Sequence, residues 1–298
     1  MAIRKLLLLL KPFDVYHATQ SNPASLFTNP RVVHYLNNRS KVHKEAIDLC
    51  QKILQQKSVD WQPIFRNDLS QPIRNVDLVV TVGGDGTLLQ ASHFMDDTVP
   101  VIGVNSDPTQ AEEVEEFSNE FDANRSTGYL CAATVKNFEQ VVLDSFLEGQ
   151  TVPSKLSRIS VSVNSKALPA YALNDILIAH PCPATLSRFS FKSSGLRVST
   201  AAGSTAAMLS AGGFAMPILS QDLQYMVREP IASGGAISGL MHGLIKSDQS
   251  IDAAWFSKEG SIYVDGSYVF FTIQSGDTIE ISSKAPVLQV VLAPHLSS

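Results

Sequence analysis

Cysteine, net positive charge and long apolar segments are all scarce in this 298-residue sequence, and each shortage excludes a class of protein. The three cysteines are widely spaced and odd in number, so they form no metal-binding pattern and fit a reducing compartment. The net charge of −5 argues against a nucleic-acid-binding surface. No segment stays apolar over the length that crosses a membrane, so the sequence predicts neither a nucleic-acid partner nor a membrane partner.

A leucine-rich run near the start, Leu6 to Leu10, follows Arg4 and Lys5 and therefore resembles the beginning of a signal peptide. Lys11 and Pro12 end the run before it reaches the length of a secretory segment. We interpret the run as the first buried strand. Because the last three residues are not a peroxisomal signal either, a cytoplasmic location is expected.

The most informative stretch runs from Asp77 to Thr87, where an apolar, β-branched segment ends in a glycine-rich turn. The apolar part predicts a buried strand of a parallel sheet, and a helix is expected to start near Gly86. A strand, a glycine turn and a helix N-terminus leave backbone N–H groups where phosphate can bind. Asp85, inside this turn, would repel phosphate. It is therefore interpreted as a base that takes a proton from a hydroxyl, or as a group facing Mg²⁺; the alternative is an ordinary helix cap.

Two further polar stretches follow in the second half of the chain. Asn174 and Asp175 interrupt a strand-like segment, and an amide beside a carboxylate suits the two hydroxyls of a ribose. From the pair alone, an Asx turn is the stronger interpretation. Gly203 to Ala206 lies between a predicted strand and a short apolar segment, so its amides and hydroxyls could bind a nucleotide or simply cap a helix.

Three motifs in this order resemble those of the NAD kinase family. They are Gly83 to Thr87, Ala172 to Ile178 and Gly195 to Ala207. The first motif also resembles lipid kinases of the diacylglycerol type and phosphofructokinases, whereas the other two favour NAD kinases, with the plant-type NADH kinase branch most similar. The resemblance extends from about the first predicted strand to the last.

The resemblance implies ATP-dependent phosphorylation of the 2′-hydroxyl of the adenosine ribose of NADH, and of NAD⁺, to give NADPH or NADP⁺. Asp85 would be the catalytic base, and Mg²⁺ would arrive with ATP rather than bind protein ligands directly. A homodimer or a higher homo-oligomer is expected. The residues expected to bind nucleotide or dinucleotide are Gly84, Gly86, Thr87, Asn105, Asn174, Asp175, Ser194, Gly203, Ser204, Thr205, Ala206, Ala207 and Ser210.

The chain departs from the family pattern at several of these positions. Asp175 stands where the family usually has Glu, and Asp107 follows Asn105-Ser106 where the family usually has Gly. Ser194 replaces an Asp and Ala207 replaces a Tyr, both near the nicotinamide in the family. A carboxylate and an aromatic face would favour the cationic ring of NAD⁺, so their loss predicts a preference for NADH of about tenfold. Two alternatives remain open: a lipid kinase that shares the glycine motif, and a non-catalytic NAD(H)-binding regulator.

The expected fold class is α/β, with two domains. Residues 1–150 alternate strands and helices, as in a Rossmann-like parallel-sheet domain carrying the glycine turn. Residues 151–298 contain short alternating strands and turn signals, as in a β-rich, β-sandwich-like domain that contributes to the NAD(H) site. A loop is expected from Tyr16 to Pro30, a helix capped by Ser40, and another helix from Val135 to Phe146. Asp265 to Ser267 is interpreted as a hairpin turn.

Overall fold

The structure, a computed structural model, describes residues 5–16, 29–57, 59–142, 149, 151–189, 192–230 and 241–297. Contacts divide the chain into unit 1, which comprises Met1–Ser154 and Gln289–Ser298, and unit 2, which comprises Lys155–Leu288. The sequence analysis assigned the last ten residues to the second domain, whereas in the structure they belong to unit 1. Most of the predicted loop from Tyr16 to Pro30 lies outside the described residues.

Unit 1 is built on a parallel sheet. Its strands are β1 (Lys5–Leu10), β2 (Asp60–Phe65), β3 (Leu78–Gly83), β4 (Val101–Asn105), β5 (Cys131–Thr134) and the last strand of the chain (Leu288–Val291). The central order is β2-β1-β3-β4, and β4 also pairs with β5 and with the last strand, all in parallel. β3 and β4 are buried along their whole length, as expected for parallel strands covered on both faces.

The helices of unit 1 are α1 (Pro30–Gln56), α2 (Asp85–Ser92) and α3 (Ala111–Phe117). The prediction that Ser40 caps α1 is wrong, because the helix begins ten residues earlier. Asn29 is the cap: its side chain accepts a hydrogen bond from the Arg31 amide at 2.9 Å, and Pro30 occupies the first turn. The second half of α1 packs on the sheet through Ile47, Cys50 and Leu54.

The predicted helix from Val135 to Phe146 begins instead as a 3-10 helix, Val135–Asn137. Phe138 and Val142 follow it and are fully buried in the core of unit 1. Residues 143–146 of this prediction lie outside the described residues.

Unit 2 consists mainly of antiparallel sheets. β6 (Ser154–Leu156) is not one of their strands, since it pairs with the last strand of the chain in the sheet described above. The other strands are β7 (Ser160–Val163), β8 (Lys166–Ala167), β9 (Asp175–Ala179), β10 (Ser187–Arg188), β11 (Lys192–Ser193), β12 (Gly195–Ser199), β13 (Leu223–Arg228), β14 (His242–Ile245), β15 (Ser250–Ala254), β16 (Glu259–Val264), β17 (Val269–Gln274) and β18 (Thr278–Ser282). One sheet has the order β14-β13-β12-β9-β16-β17 and another has the order β15-β18-β7-β8. Their inner faces share one core, which includes the fully buried Trp255, Ile262 and Ile281.

These two architectures confirm the expected fold class, an α/β domain with a parallel sheet and a β-rich domain. Two short helices complete the description, α4 (Ala207–Ser210) and α5 (Pro294–Ser297). Among the helices described, none combines the length and the apolarity that crossing a membrane requires.

Candidate active site

The glycine turn between β3 and α2 is closely packed, which explains its composition. A Cβ atom on Gly83 would lie 2.2 Å from the hydroxyl oxygen of Thr87, and one on Gly84 would lie 2.4 Å from the Cβ of Ser126. Both contacts are far inside van der Waals distance, so each position requires glycine. The turn therefore needs glycine to lie against the segment that contains Ser126.

Asp85 occupies the first turn of α2, and its carboxylate is held by that same segment. Oδ2 accepts hydrogen bonds from the Tyr129 amide at 3.0 Å and from the Ser126 hydroxyl at 3.3 Å, while Oδ1 accepts one from the Leu130 amide at 2.8 Å. The Asp85 amide donates in turn to the Ser126 hydroxyl at 3.0 Å. A carboxylate offers about four acceptor positions, and the thiol of Cys131, a weak donor, lies 3.9 Å from Oδ1 beside these three donors. The carboxylate is thus fixed in orientation.

A cavity of about 270 Å³ lies beside this turn, at the carboxyl ends of β1, β3 and β4. Gly83, Gly84 and Asn105 line it, together with the cationic side chains Lys11, Arg39 and Arg125. Carboxyl ends of parallel strands are the usual place for a ligand in such sheets. Burial lowers the pKa of Lys11, and the negative charge of Asp107 opposes that shift.

The two arginines of this cavity form ion pairs with two carboxylates. Asp107 lies 3.3 Å from Arg39 and 2.7 Å from Arg125. Glu113, on α3, lies 3.0 Å from Arg39 and also pairs with Arg125. Asp122 also lines the cavity, so with Lys11 three cations stand against three carboxylates. The cationic side chains, rather than a net charge, are what this wall offers to an anionic ligand.

The other predicted residues of this turn differ in their accessibility. Gly86 is exposed, but Thr87 is buried and its amide donates to the Gly84 carbonyl at 2.9 Å. Asn105 lines the cavity, although its amide group donates to the Ser126 carbonyl at 3.3 Å. Gly84 and Asn105 thus border the cavity, whereas the Thr87 amide is used within the turn.

In unit 2, the two motif stretches predicted there and the predicted hairpin turn lie in contact with one another. The Asp265 carboxylate accepts the amides of Leu173, Asn174 and Asp175 at 2.8, 2.7 and 3.0 Å. A Cβ atom on Gly203 would lie 2.1 Å from the Asn174 carbonyl oxygen, so this glycine is needed for the close approach of its turn. Asp265 lies in a tight turn between β16 and β17, as predicted. Its carboxylate also fixes the turn that contains Asn174 and Asp175.

A cavity of about 550 Å³ opens at this turn. Its lining residues are Asn174, Asp175, Leu177, Arg197, Ala206, Ala207, Tyr263, Asp265, Gly266 and Ser267. Arg197, on β12, forms an ion pair with Oδ2 of Asp175, and both side chains are about 85% buried, with exposures of 14% and 15%. Burial raises the pKa of Asp175, while the positive charge of Arg197 opposes the rise and Asp265 adds to it. The cavity therefore presents an amide and a paired carboxylate at its wall.

The Gly-Ser-Thr-Ala stretch is largely occupied with its own hydrogen bonds. Ser204 is fully buried: its hydroxyl donates to the Ala201 carbonyl at 2.7 Å and accepts the Met216 amide at 2.8 Å. The Gly203 and Ala206 amides donate within the turn, at 3.1 Å each. The structure therefore gives Ser204 a role in holding the turn, while Ala206 and Ala207 border the cavity.

Three other predicted residues do not line this cavity. Thr205 is half-buried and Ser210 is exposed, and neither borders it. Ser194 donates both its amide and its hydroxyl to the Arg228 carbonyl, at 3.0 and 3.2 Å. Ser194 and Ala207 are therefore in different surroundings, although the sequence analysis treated them together.

Sequence reasoning missed the cationic residues of both cavities. Arg197 carried a usable signal, since it is a charged residue between Leu196 and Val198 in a strand that is otherwise buried. Arg39 and Arg125 carried none, because each lies in a polar stretch where a charged residue is ordinary. Within the described ranges, no group of three or more His, Cys, Asp or Glu side chains could hold a metal ion.

Comparison with known proteins gives three findings. The ATP-NAD kinase N-terminal domain matches residues 16–109. The NADH kinase of Arabidopsis thaliana is 63% identical over 316 residues, covering 100% of this chain and 98% of that protein. The probable NADH kinase of Oryza sativa subsp. japonica is 56% identical over 321 residues, covering 99% and 98%.

Two solved structures share the fold. A yeast NADH kinase complexed with NADH has a TM-score of 0.66 at 15% identity, covering 98% of this chain and 83% of that one. An NAD kinase from Archaeoglobus fulgidus in complex with ATP has a TM-score of 0.61 at 20% identity, covering 96% and 93%. The lipid kinase and the non-catalytic regulator considered from the sequence find no support among these relatives.

Proposed function

The chain is a kinase of the NAD kinase family, and from that premise we propose that it phosphorylates the 2′-hydroxyl of the adenosine ribose of NADH, and also of NAD⁺, at the expense of ATP. The observation that carries this proposal is the 550 Å³ cavity of unit 2, where Asn174 and Asp175 border a space of nucleoside size. The products are NADPH or NADP⁺, and ADP.

The dinucleotide side of the reaction is supported by the chemistry of that cavity. Asp175 has one oxygen paired with Arg197; among the described residues its other oxygen has no hydrogen-bond partner. That oxygen can accept from the hydroxyls of a ribose, and the Asn174 amide can donate or accept beside it. Tyr263 and Leu177 supply apolar surface for a ring.

The phosphate side is supported by the cavity at the glycine turn. Lys11, Arg39 and Arg125 line it with cationic side chains, which suit the oxygens of a triphosphate. Gly84, which also lines the cavity, has no side chain to obstruct the approach of phosphate oxygens. In phosphoryl transfer, this positioning and charge stabilisation supply most of the rate.

Asp85 would act as the general base. As the 2′-oxygen attacks the terminal phosphorus of ATP, the proton of that hydroxyl passes to a carboxylate oxygen of Asp85, and the bond to the β-phosphate breaks to release ADP. The amides of Tyr129 and Leu130 keep the carboxylate in one orientation, so little reorganisation is needed.

Mg²⁺ fits this scheme as an ion that ATP carries. Oδ1 of Asp107, beside the glycine turn, is already engaged by two arginines, and the oxygens of Asp85 face amides. The residues present therefore suit a triphosphate whose oxygens hold the metal. When bound, the ion supplies neutralisation of the charge that develops on the phosphates.

The test is an incubation of the protein with ATP, Mg²⁺ and either NADH or NAD⁺, with NADPH and NADP⁺ quantified. We expect product from both acceptors, faster from NADH, and none without ATP. The Asp85→Asn protein is the matched control for contaminating kinases. Absence of product from both acceptors in a folded protein would contradict the proposal.

We further propose a homodimer and a cytoplasmic location. Three aromatic side chains of unit 2 are exposed: Tyr268 by 92%, Phe256 by 58% and Phe270 by 54%. Contact with a second protein chain would remove this apolar surface from water. All three cysteines are unpaired, as in a reducing compartment. Sedimentation velocity tests the first proposal, and imaging of a full-length fluorescent fusion tests the second. A monomer, or a fusion retained in an organelle, would contradict them.

A further inference from the structure

We propose that Arg197 is a positioning residue for the dinucleotide: its guanidinium keeps the Asp175 carboxylate charged and turned so that one oxygen faces the cavity to accept ribose hydroxyls. This inference rests on the proposed function, because it assigns a role within the same dinucleotide site. Arg197 lies within the Gly195 to Ala207 motif as a charged residue in a buried strand, and its pairing with Asp175 in the structure gives it this role.

The geometry gives Asp175 two different oxygens. Oδ2 is paired with Arg197, and the main-chain amide of Asp175 is fixed by Asp265 at 3.0 Å. Asp175 and Arg197 lie on the adjacent strands β9 and β12, whose register pairs Asp175 with Ser199. The side chains therefore meet diagonally across the sheet, and both line the cavity. With one oxygen fixed by the pair, the other is presented to the ligand in a single orientation.

The charges around Asp175 explain why the pair is needed. From β12 it faces Arg197, from the turn between β16 and β17 it faces Asp265, and Tyr263 of β16 borders the same cavity. Burial and the second carboxylate both favour the neutral acid, and Arg197 alone among these groups favours the charged form. Stability is a weak reason for such a pair, because the desolvation of two charges offsets most of their attraction.

Removal of Arg197 has a defined consequence for pH dependence. Only the ionised carboxylate makes charge-assisted hydrogen bonds to hydroxyls, so affinity is present above the pKa of Asp175 and is lost as the pH falls through it. Without Arg197 that pKa rises further, because burial and Asp265 are no longer opposed. The loss of affinity then begins at a higher pH than in the parent protein.

The experiment measures dissociation constants for NADH by direct titration of parent, Arg197→Met and Arg197→Lys proteins between about pH 6 and about pH 9. We expect Arg197→Met to weaken NADH binding about 10- to 100-fold at the acidic end and less at the alkaline end, with ATP binding unchanged. Arg197→Lys should restore most of the affinity, because it retains a cation. The double variant Arg197→Met, Asp175→Asn should bind weakly at every pH.

Three outcomes would overturn the inference. One is an NADH dissociation constant in Arg197→Met within twofold of the parent throughout the pH range. Another is a loss that is equal at all pH values, and the last is an equal loss for ATP, which would indicate general damage to the fold. Circular dichroism melting checks folding, and Arg197→Lys provides the conservative variant if Arg197→Met does not fold. NADH binding is measured in the absence of turnover. If the parent protein failed the kinase assay, that result would contradict the proposed function separately from this inference.

Discussion

Two turns were expected from the sequence to bind nucleotide: Gly83–Thr87 in unit 1 and Gly203–Ala206 in unit 2. They differ in their hydrogen bonds and in what surrounds them. The first leads into the eight-residue helix α2 and borders a cavity with three cationic side chains. The second forms a 3-10 helix followed by the four-residue helix α4, and its amides and the Ser204 hydroxyl bond within the turn. The same kind of sequence, small residues before a helix, thus gives a turn beside a cation-lined cavity in one place and a supporting turn in the other.

The difference follows from what lies against each turn. In unit 1, the segment from Ser126 to Leu130 donates hydrogen bonds to the carboxylate of Asp85, and cationic side chains line the neighbouring cavity. In unit 2, Gly203 packs directly on the Asn174 carbonyl, so its turn supports the residues that face the cavity. Five predictions test this comparison, in order from the largest expected effect to the smallest.

Asp85→Asn should lower kcat about 10²–10⁴-fold, because an amide cannot take the proton of the attacking hydroxyl. The side chain is nearly isosteric but can accept only one of the Tyr129 and Leu130 amides, so the melting temperature should fall while the dissociation constants for ATP and NADH change little. Steady-state kinetics and calorimetric titration provide the two measurements. Turnover close to that of the parent in a folded variant would remove Asp85 from this role.

Asn174→Ala and Asp175→Asn should weaken NADH far more than ATP. A lost charge-assisted hydrogen bond costs about 1.5–3 kcal/mol, which corresponds to a KM for NADH raised about 10- to 150-fold. Asparagine is chosen at 175 because alanine would leave Arg197 buried without a partner. A rise in the KM for ATP with a constant KM for NADH would reverse the assignment of the two units.

Gly203→Ala tests whether the second turn is a support. Its Cβ would meet the Asn174 carbonyl at 2.1 Å, so overpacking of about 1–3 kcal/mol is expected in the free energy of unfolding, with weaker NADH binding as a consequence. Gly86→Ala is the matched control, because its nearest neighbour would be an Arg66 side-chain nitrogen at 3.7 Å. Equal melting temperatures for the two variants would contradict the close packing at Gly203.

Arg39→Met tests the phosphate assignment of the first turn. Loss of one cation should raise the KM for ATP about tenfold, as expected for a hydrogen bond to a charged group, and leave the KM for NADH unchanged. Glu113→Gln removes the ion pairs of Glu113 with Arg39 and Arg125 but keeps both arginines, so it separates binding from structure. If Glu113→Gln weakens ATP as much as Arg39→Met does, the arginines serve to anchor α3 instead.

Ala207→Tyr and Ser194→Asp, tested separately, sharpen the prediction about the acceptor. Ala207 lines the cavity and Ser194 does not, so the tyrosine alone should raise the ratio of kcat/KM for NAD⁺ over NADH, by about two- to fivefold from a cation–π contact. Ser194→Asp should have the smaller effect. A parent that favours NAD⁺, or no change with Ala207→Tyr, would contradict the basis of the NADH preference.

Sequence patterns were sufficient where the deciding interactions are local. β3, the glycine turn and the start of α2 could be located because an apolar β-branched run followed by glycines has few other solutions. The start of α1 was misplaced because Asn29 and Pro30, which begin the helix, directly follow a Ser-, Asn- and Thr-rich stretch and were taken as part of that loop. Ser204 was expected to bind nucleotide because its burial and its bond to the Met216 amide have no signature in the sequence.

By itself, the sequence determined the fold class, the family and the position of the glycine turn, since strand periodicity, turn chemistry and motif spacing are all properties of neighbouring residues. Only the tertiary structure decided which side chains surround the two cavities. Asp175 and Arg197 are 22 positions apart, and Arg39 and Asp107 are 68 apart. Charge pairing depends on distance in space, and only the folded sheets bring these residues within hydrogen-bonding reach.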